Sequence, residues 1–562
     1  MSFATVRAKI LVSTGLAVVA CSALLVTGAG AAPAAGDLVL VSASAAGEPG
    51  NGVSSFGLST SADGRYVAFA SMATNLTPAD TDNVVDVFVK DLTTGEVQVA
   101  SRTAAGVKGD AISTRPSISA DGRRVAFTSA ADNLSPDDTD GYFDVYLKDL
   151  TTGAVTLASR TAGGTKANGS SGSAALSADG SAAAFSTNAT NLSPDATDGE
   201  SHVYVKRLDT GDLSFVDGGT LARPDEQTGA YGPSLSSDGR VVAFVTDASG
   251  LDPADTDQRA DIYVRDLVAG EVRLASTNVD GVKGDLPSTG ASLSADGTRV
   301  AFETASDNLT PDDPDTSSDV YVKDLTDRSL LLASTDAAGT KANQAAGYPS
   351  LSPDGGYLAF SSDATNLGVD TAPLVKQVYR KDLHSGELIP ASVATGGGPA
   401  GDYLSIEPSI SDQGAVVSFD SPSTNLAPDG SNRVADVFAK ILSPPTAPDL
   451  TPPTGRLSAT PARLKPSRSS QPVQVTGCAH DDGGIQQVTF SVADEYGLSQ
   501  PTIAAVDAAG ATDSTWQRVV WLDASLRPSD SKRVYQITAT VSDVAGNTTT
   551  LRAGVIVARP GQ

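Results

Sequence analysis

Asp80, Asp82 and Asp86 stand at the first, third and seventh positions of one segment. The same spacing returns at Asp138, Asp140 and Asp144, at Asp255, Asp257 and Asp261, and at Asp313, Asp315 and Asp319. Carboxylates so spaced can converge on Ca²⁺, which takes about six to eight oxygens and draws the remainder from carbonyls and water. No glycine or closing glutamate of an established calcium loop recurs with them. Aspartates in such places also form Asx turns and cap long connections, and this is the reading the spacing favours. Related segments carry Ala196, Asp198 and His202, or Thr371 and Gln377, instead. These copies would lack a fold-essential ion, which leaves calcium, the one cofactor the sequence suggests, at four sites or at a binding surface.

Four lysines recur in step with these aspartates: Lys108 in Gly-Val-Lys-Gly-Asp, Lys166 in Gly-Thr-Lys-Ala-Asn, and Lys283 and Lys341 in the corresponding copies. Exposed ion pairs would contribute at most about 1 kcal/mol each, whereas a shared face would offer a polar ligand surface. His202, where other copies have aspartate, is the one irregularity on that face. With three histidines, no His-Glu-x-x-His, no Gly-x-Ser-x-Gly elbow and no cysteine pair for zinc, reactive clusters are scarce. The pattern argues for a binding scaffold. The alternative is a carbohydrate-active hydrolase or lyase using acidic residues at a channel mouth.

These residues sit in a long internal repeat. A block of Ser, Asp, Gly and, five residues on, Phe returns with its glycine at Gly64, Gly122, Gly180, Gly239, Gly297, Gly355 and Gly414, spaced 58 or 59 residues apart. Asp-Gly between alternating segments predicts a hairpin turn joining strands a and b. Asp144 to Leu150 reads as strand c, and after Thr-Thr-Gly the run Ala154 to Ser159 reads as strand d. Strands of this number and period predict an all-β, seven-bladed β-propeller over residues 37–442. The seventh copy lacks strand d, and Asp37 to Gly47 matches the strand d pattern, so the first strand is expected to complete the last blade. The d-to-a and b-to-c connections of a four-stranded blade leave on one face, which brings the lysines and aspartates together.

Copies such as Pro349-Ser350-Leu351-Ser352-Pro353-Asp354-Gly355-Gly356-Tyr357-Leu358-Ala359-Phe360 resemble the Trp-Asp-like propeller repeat of TolB-family proteins, over all seven copies. The chain departs from the periplasmic TolB protein in having no preceding α/β domain, seven copies rather than six, and an added C-terminal region. A role in a TolB-type envelope complex is therefore not implied. Residues 443–455 are Pro-rich and read as a linker. Residues 456–562 carry alternating runs, and Tyr535 to Asn547 resembles the closing hairpin of bacterial immunoglobulin-like surface domains. This predicts a β-sandwich with Trp516 or Trp521 in its core.

The formal net charge of −27 repels nucleic acid and anionic lipid. Residues 1–36 place Arg7 and Lys9 before an apolar stretch and then small residues, the layout of a secretory signal peptide. The mature chain is thus expected to be extracytoplasmic and monomeric, with no membrane span, and to meet a protein or glycan at the cell surface. Val18 to Ser22 also resembles a lipobox, leaving a lipoprotein acylated at Cys21 as the other outcome.

Overall fold

In the computed structural model the described residues are 32–218, 229–369, 375–426, 434–443, 453–494, 496, 501, 503–543 and 548–559. The apolar leader through residue 31, Cys21 and linker residues 444–452 lie outside them. Among the described residues the chain is all-β, with a single 3-10 turn at Asp412–Gly414. No helix there is long and apolar enough to cross a membrane.

Each repeat folds as a four-stranded antiparallel sheet of propeller-like form. The second copy shows the pattern: strand a Ser113–Ile118, b Arg124–Ser129, c Asp144–Asp149 and d Val155–Leu157. The Ser-x-Asp-Gly block makes the a-to-b turn with its own side chains. Ser119 Oγ donates to Asp121 and accepts the Arg124 N–H, Asp121 accepts the Arg123 N–H, and Gly122 takes φ 68°. In the last copy Gln413 stands where this aspartate would be, and the chain turns through the 3-10 segment with Gln413 at φ 53°.

Strands b and c are buried on both faces, because each sheet packs between two others. Phe127 and Tyr146 stack at 5.9 Å, and a like pair recurs in each copy, as at Phe69 with Phe88 and Phe302 with Tyr321. Inner strands are tied across sheets: Ser59 Oγ accepts the Ile118 N–H, and Ser117 Oγ accepts the Leu176 N–H. The same bond links last to first, with Ser409 Oγ accepting the Thr60 N–H at 2.9 Å.

The N-terminal strand Leu38–Leu40 pairs antiparallel with Asp436–Ile441, with Leu38 opposite Lys440 and Leu40 opposite Phe438. Ser42 Oγ then donates to Asp436 at 2.7 Å and accepts the Val437 N–H. The first strand therefore completes the last sheet.

The C-terminal region is built on three long strands, Ser470–Asp494, Val506–Asp523 and Lys532–Asp543, with Thr454–Thr460, Arg463–Leu464 and Thr548–Ala558. Trp516 is buried and Trp521 is 59% exposed. Gly477 makes room for the indole, since a Cβ there would lie 2.4 Å from Trp516.

Candidate functional site

The structure brings each lysine onto the three aspartates of its own copy. The Lys108 ammonium lies 3.4, 2.8 and 2.6 Å from Asp80, Asp82 and Asp86. Lys166 does the same with Asp138, Asp140 and Asp144, Lys283 with Asp255, Asp257 and Asp261, and Lys341 with Asp313, Asp315 and Asp319. The three carboxylates approach within 4.8 Å of one another in each cluster, close enough to hold a metal ion. An ammonium already stands between them, supplying positive charge and donors from within the chain.

Two of the three carboxylates in each cluster are buried and the middle one faces solvent. Burial pushes Asp86 up to about 6, although Lys108 and Ser101 both hydrogen-bond to it. For Lys108, burial disfavours the charge, but Asp82 and Asp86 outweigh it and hold the ammonium above its ordinary range. The buried Asp138, Asp255 and Asp313 accept a tyrosine hydroxyl from strand c: Tyr146, Tyr263 at 2.7 Å and Tyr321 at 2.6 Å. Phe88 occupies that place in the first copy, and Asp80 Oδ2 is left without a hydrogen-bond partner among the described residues.

Where the aspartate is absent, the arrangement changes coherently. His202 pairs with Asp217 at 2.7 Å and with Asp198 at 3.0 Å. Asp217 stands where other copies have the serine that bonds this position, so the charges are exchanged. Burial opposes the imidazolium, yet Asp217 and Asp198 prevail and push His202 up to about 9. Gln377 instead accepts from Ser392 and donates to the Gly401 carbonyl, neutral to neutral. Thr371 lies outside the described residues.

Sequence reasoning missed two supports of the clusters. Asn133 donates to the Lys108 carbonyl and accepts the Asp110 N–H, and Asn191, Asn308 and Asn366 clamp the other three lysine loops in the same way. Each asparagine belongs to the following sheet. A buried lysine of strand c ties neighbours as well: Lys148 donates to the Arg102 carbonyl, and Lys90 to those of Ala43 and Ser44. The signal for both was their recurrence at the repeat period.

A third set was also missed. Strand a carries a register shift, as between Thr114 and Ser117, and the residue at the bulge takes positive φ. It falls seven positions before the turn glycine of every copy: Gly57, Arg115, Ser173, Gly232, Gly290, Tyr348 and Glu407. Gly57 has no substitute, because a Cβ there would lie 2.8 Å from the Arg115 Cα. Arg115, Ser173, Tyr348 and Glu407 hold φ of 49 to 54°, at about 1–2 kcal/mol apiece for an L residue. Backbone is repeated here while side chains differ.

Gly57, Arg115 and Glu407 line two cavities, of about 700 and 350 Å³. The larger runs along Phe56, Thr128 and Phe143, and the smaller reaches Tyr348. Burial raises Glu407, with Arg115 working against the shift. Asp420, buried on strand b of the same sheet, is pushed up to about 8 by burial and by Glu407, and its Oδ1 has no hydrogen-bond partner among the described residues. Glu303 accepts the Tyr348 N–H at 2.7 Å and the Thr289 hydroxyl at 3.0 Å.

Residues 457–558 match the family described as Bacterial Ig-like domain. No curated protein matches the chain. Among solved structures, the β-propeller domain of the Trilobed protease from Pyrococcus furiosus is similar at 12% identity, covering 71% of this chain and 98% of that one, with a TM-score of 0.42. A protein described as TolB from Agrobacterium tumefaciens is similar at 16% identity over 62% of this chain and 94% of its own, with a TM-score of 0.33. The WD40 repeats of RRP9 are similar at 10% identity over 73% and 98%, with a TM-score of 0.39.

Proposed function

We propose that residues 37–442 close as a seven-bladed β-propeller sealed by the N-terminal strand, and that the chain is an extracytoplasmic binding and protein-interaction scaffold. Residues 1–36 act as its export signal and residues 456–562 as a spacer or attachment module. The observation that carries this reading is the bulge position on strand a. A rigid, repeated backbone presents a different side chain there in successive sheets, which is how a scaffold acquires a recognition surface without a reactive cluster. Lys108, Lys166, Lys283 and Lys341 are consumed as internal counter-ions of the aspartates, so ligand recognition falls to the channel residues rather than to the lysine face.

The test is a panel of peptides and glycans presented to the purified full chain and scored for both binding and turnover. Binding without turnover is expected. Reproducible turnover abolished by Glu407→Gln or Asp420→Asn would overturn the scaffold reading.

A further inference from the structure

Glu407 is a half-buried carboxylate at the junction of both cavities, and among the described residues it makes no hydrogen bond or close ion pair. Leaving such a group unpaired is costly, and an incoming cation would relieve it. It also pays the positive φ of its bulge, a strain that natural chains retain at binding sites. Arg115 faces the same space, and among the described residues its guanidinium makes only a long bond of 3.4 Å to Ser173. Thr128 Oγ1, buried on the wall of the larger cavity, has no hydrogen-bond partner among the described residues either.

The surroundings favour a cation over an anion. The net charge of −27 draws positively charged partners and repels negative ones. Phe56 and Phe143 line the larger cavity and Tyr348 the smaller, with Phe143 and Tyr348 exposed. Aromatic faces of this kind attract ammonium and guanidinium groups, as Lys376 already shows by standing 5.7 Å over the Tyr348 ring.

We infer that the channel mouth docks a basic polypeptide segment, with a lysine or arginine side chain entering the cavity to meet the Glu407 carboxylate. This rests on the scaffold reading and names the chemistry of its partner. Arg115 limits affinity by repelling the incoming cation, and so tunes the site against indiscriminate capture of basic chains.

Isothermal titration of the full chain with three probes tests the assignment: an N-acetylated, C-amidated Gly-Ser-Arg-Ser-Gly peptide, its counterpart with Glu for Arg, and a uronic acid oligosaccharide. The Arg peptide binds, and binding weakens with salt. Glu407→Gln lowers its affinity by about tenfold or more, Arg115→Gln raises it, and the exposed Glu96→Gln leaves it unchanged. Thermal melts of each variant confirm that it is folded. Full binding by the Glu407→Gln variant, or failure of the Arg peptide to bind, overturns the assignment while leaving the scaffold intact if other ligands in the panel are captured. Preferential binding of the Glu peptide or the uronate, lost in Arg115→Gln, overturns it in favour of an anionic ligand. Turnover of the probes would overturn the scaffold reading itself.

Discussion

Replacing Lys108 by methionine keeps most of the side-chain stem and removes the ammonium. Asp80 and Asp86, both with fully buried carboxylates, then face each other and Asp82 without a counter-charge. At an effective dielectric of about 20, an ion pair at about 3 Å is worth roughly 5 kcal/mol, and stripping one partner from a buried pair costs about 3–5 kcal/mol. The loss has a ceiling, because Asp86 can take up a proton. Its pKa is already about 6, so protonation near pH 7.5 costs only about 2 kcal/mol. The expected destabilisation is therefore about 2–3 kcal/mol near neutral pH, a fall of about 2–4 °C in Tm for a cooperative unit of this size. The folded variant binds protons more tightly than the unfolded chain. Wild-type Asp86 already titrates near 6 with Lys108 beside it, and losing the ammonium raises it further, so the variant's deficit opens as pH rises above about 6 and is smallest below it, where Asp86 of both folded proteins is protonated. Adding Asp86→Asn to Lys108→Met recovers more than half of the loss, imitating the neutral Gln377 of the sixth copy. Calcium leaves the wild-type melt unchanged and raises that of Lys108→Met, whose emptied cluster now has room for a cation. Equal melts for wild type and Lys108→Met across this pH range, or a wild-type chain stabilised by calcium more than the variant, would refute the internal counter-ion argument.

Two further predictions follow from partners gained or lost. Phe88→Tyr supplies Asp80 with the hydroxyl that Asp138 receives from Tyr146, and should raise stability by about 1 kcal/mol; conversely Tyr146→Phe costs about 1–3 kcal/mol, while Tyr204→Phe costs nothing because its hydroxyl has no partner beside Ala196. Urea titrations of the three variants check the order. Deleting residues 37–46 removes the strand paired with Asp436–Ile441, the Ser42 bonds to that strand and the carbonyls that hold Lys90. A lower Tm and aggregation through the freed edge are expected, and a truncated chain that melts like the intact one would contradict closure by the N-terminal strand.

Much of the architecture was legible in order along the chain. Asp-Gly at a 58- or 59-residue period specified the a-to-b turns because the Ser, Asp and Gly that build them are local to one another. The match between Asp37 to Gly47 and the other strand d segments foretold that the first strand pairs with Asp436–Ile441, since one strand pattern was missing at the end and one was spare at the beginning. The lysines and aspartates could be assigned to one face from strand direction alone.

What lay beyond the sequence depends on distances between copies. Spacing alone cannot tell three carboxylates awaiting a cation from three already holding one, because Lys108 is 22 residues past Asp86 and is held there by Asn133 from the next sheet. Nor does a sequence pattern disclose that Arg115 and Glu407, 292 residues apart, border the same cavities. A β-bulge sets the sign of φ at each of these residues, and only the packing of sheets distant in sequence brings the two bulges to the same cavities.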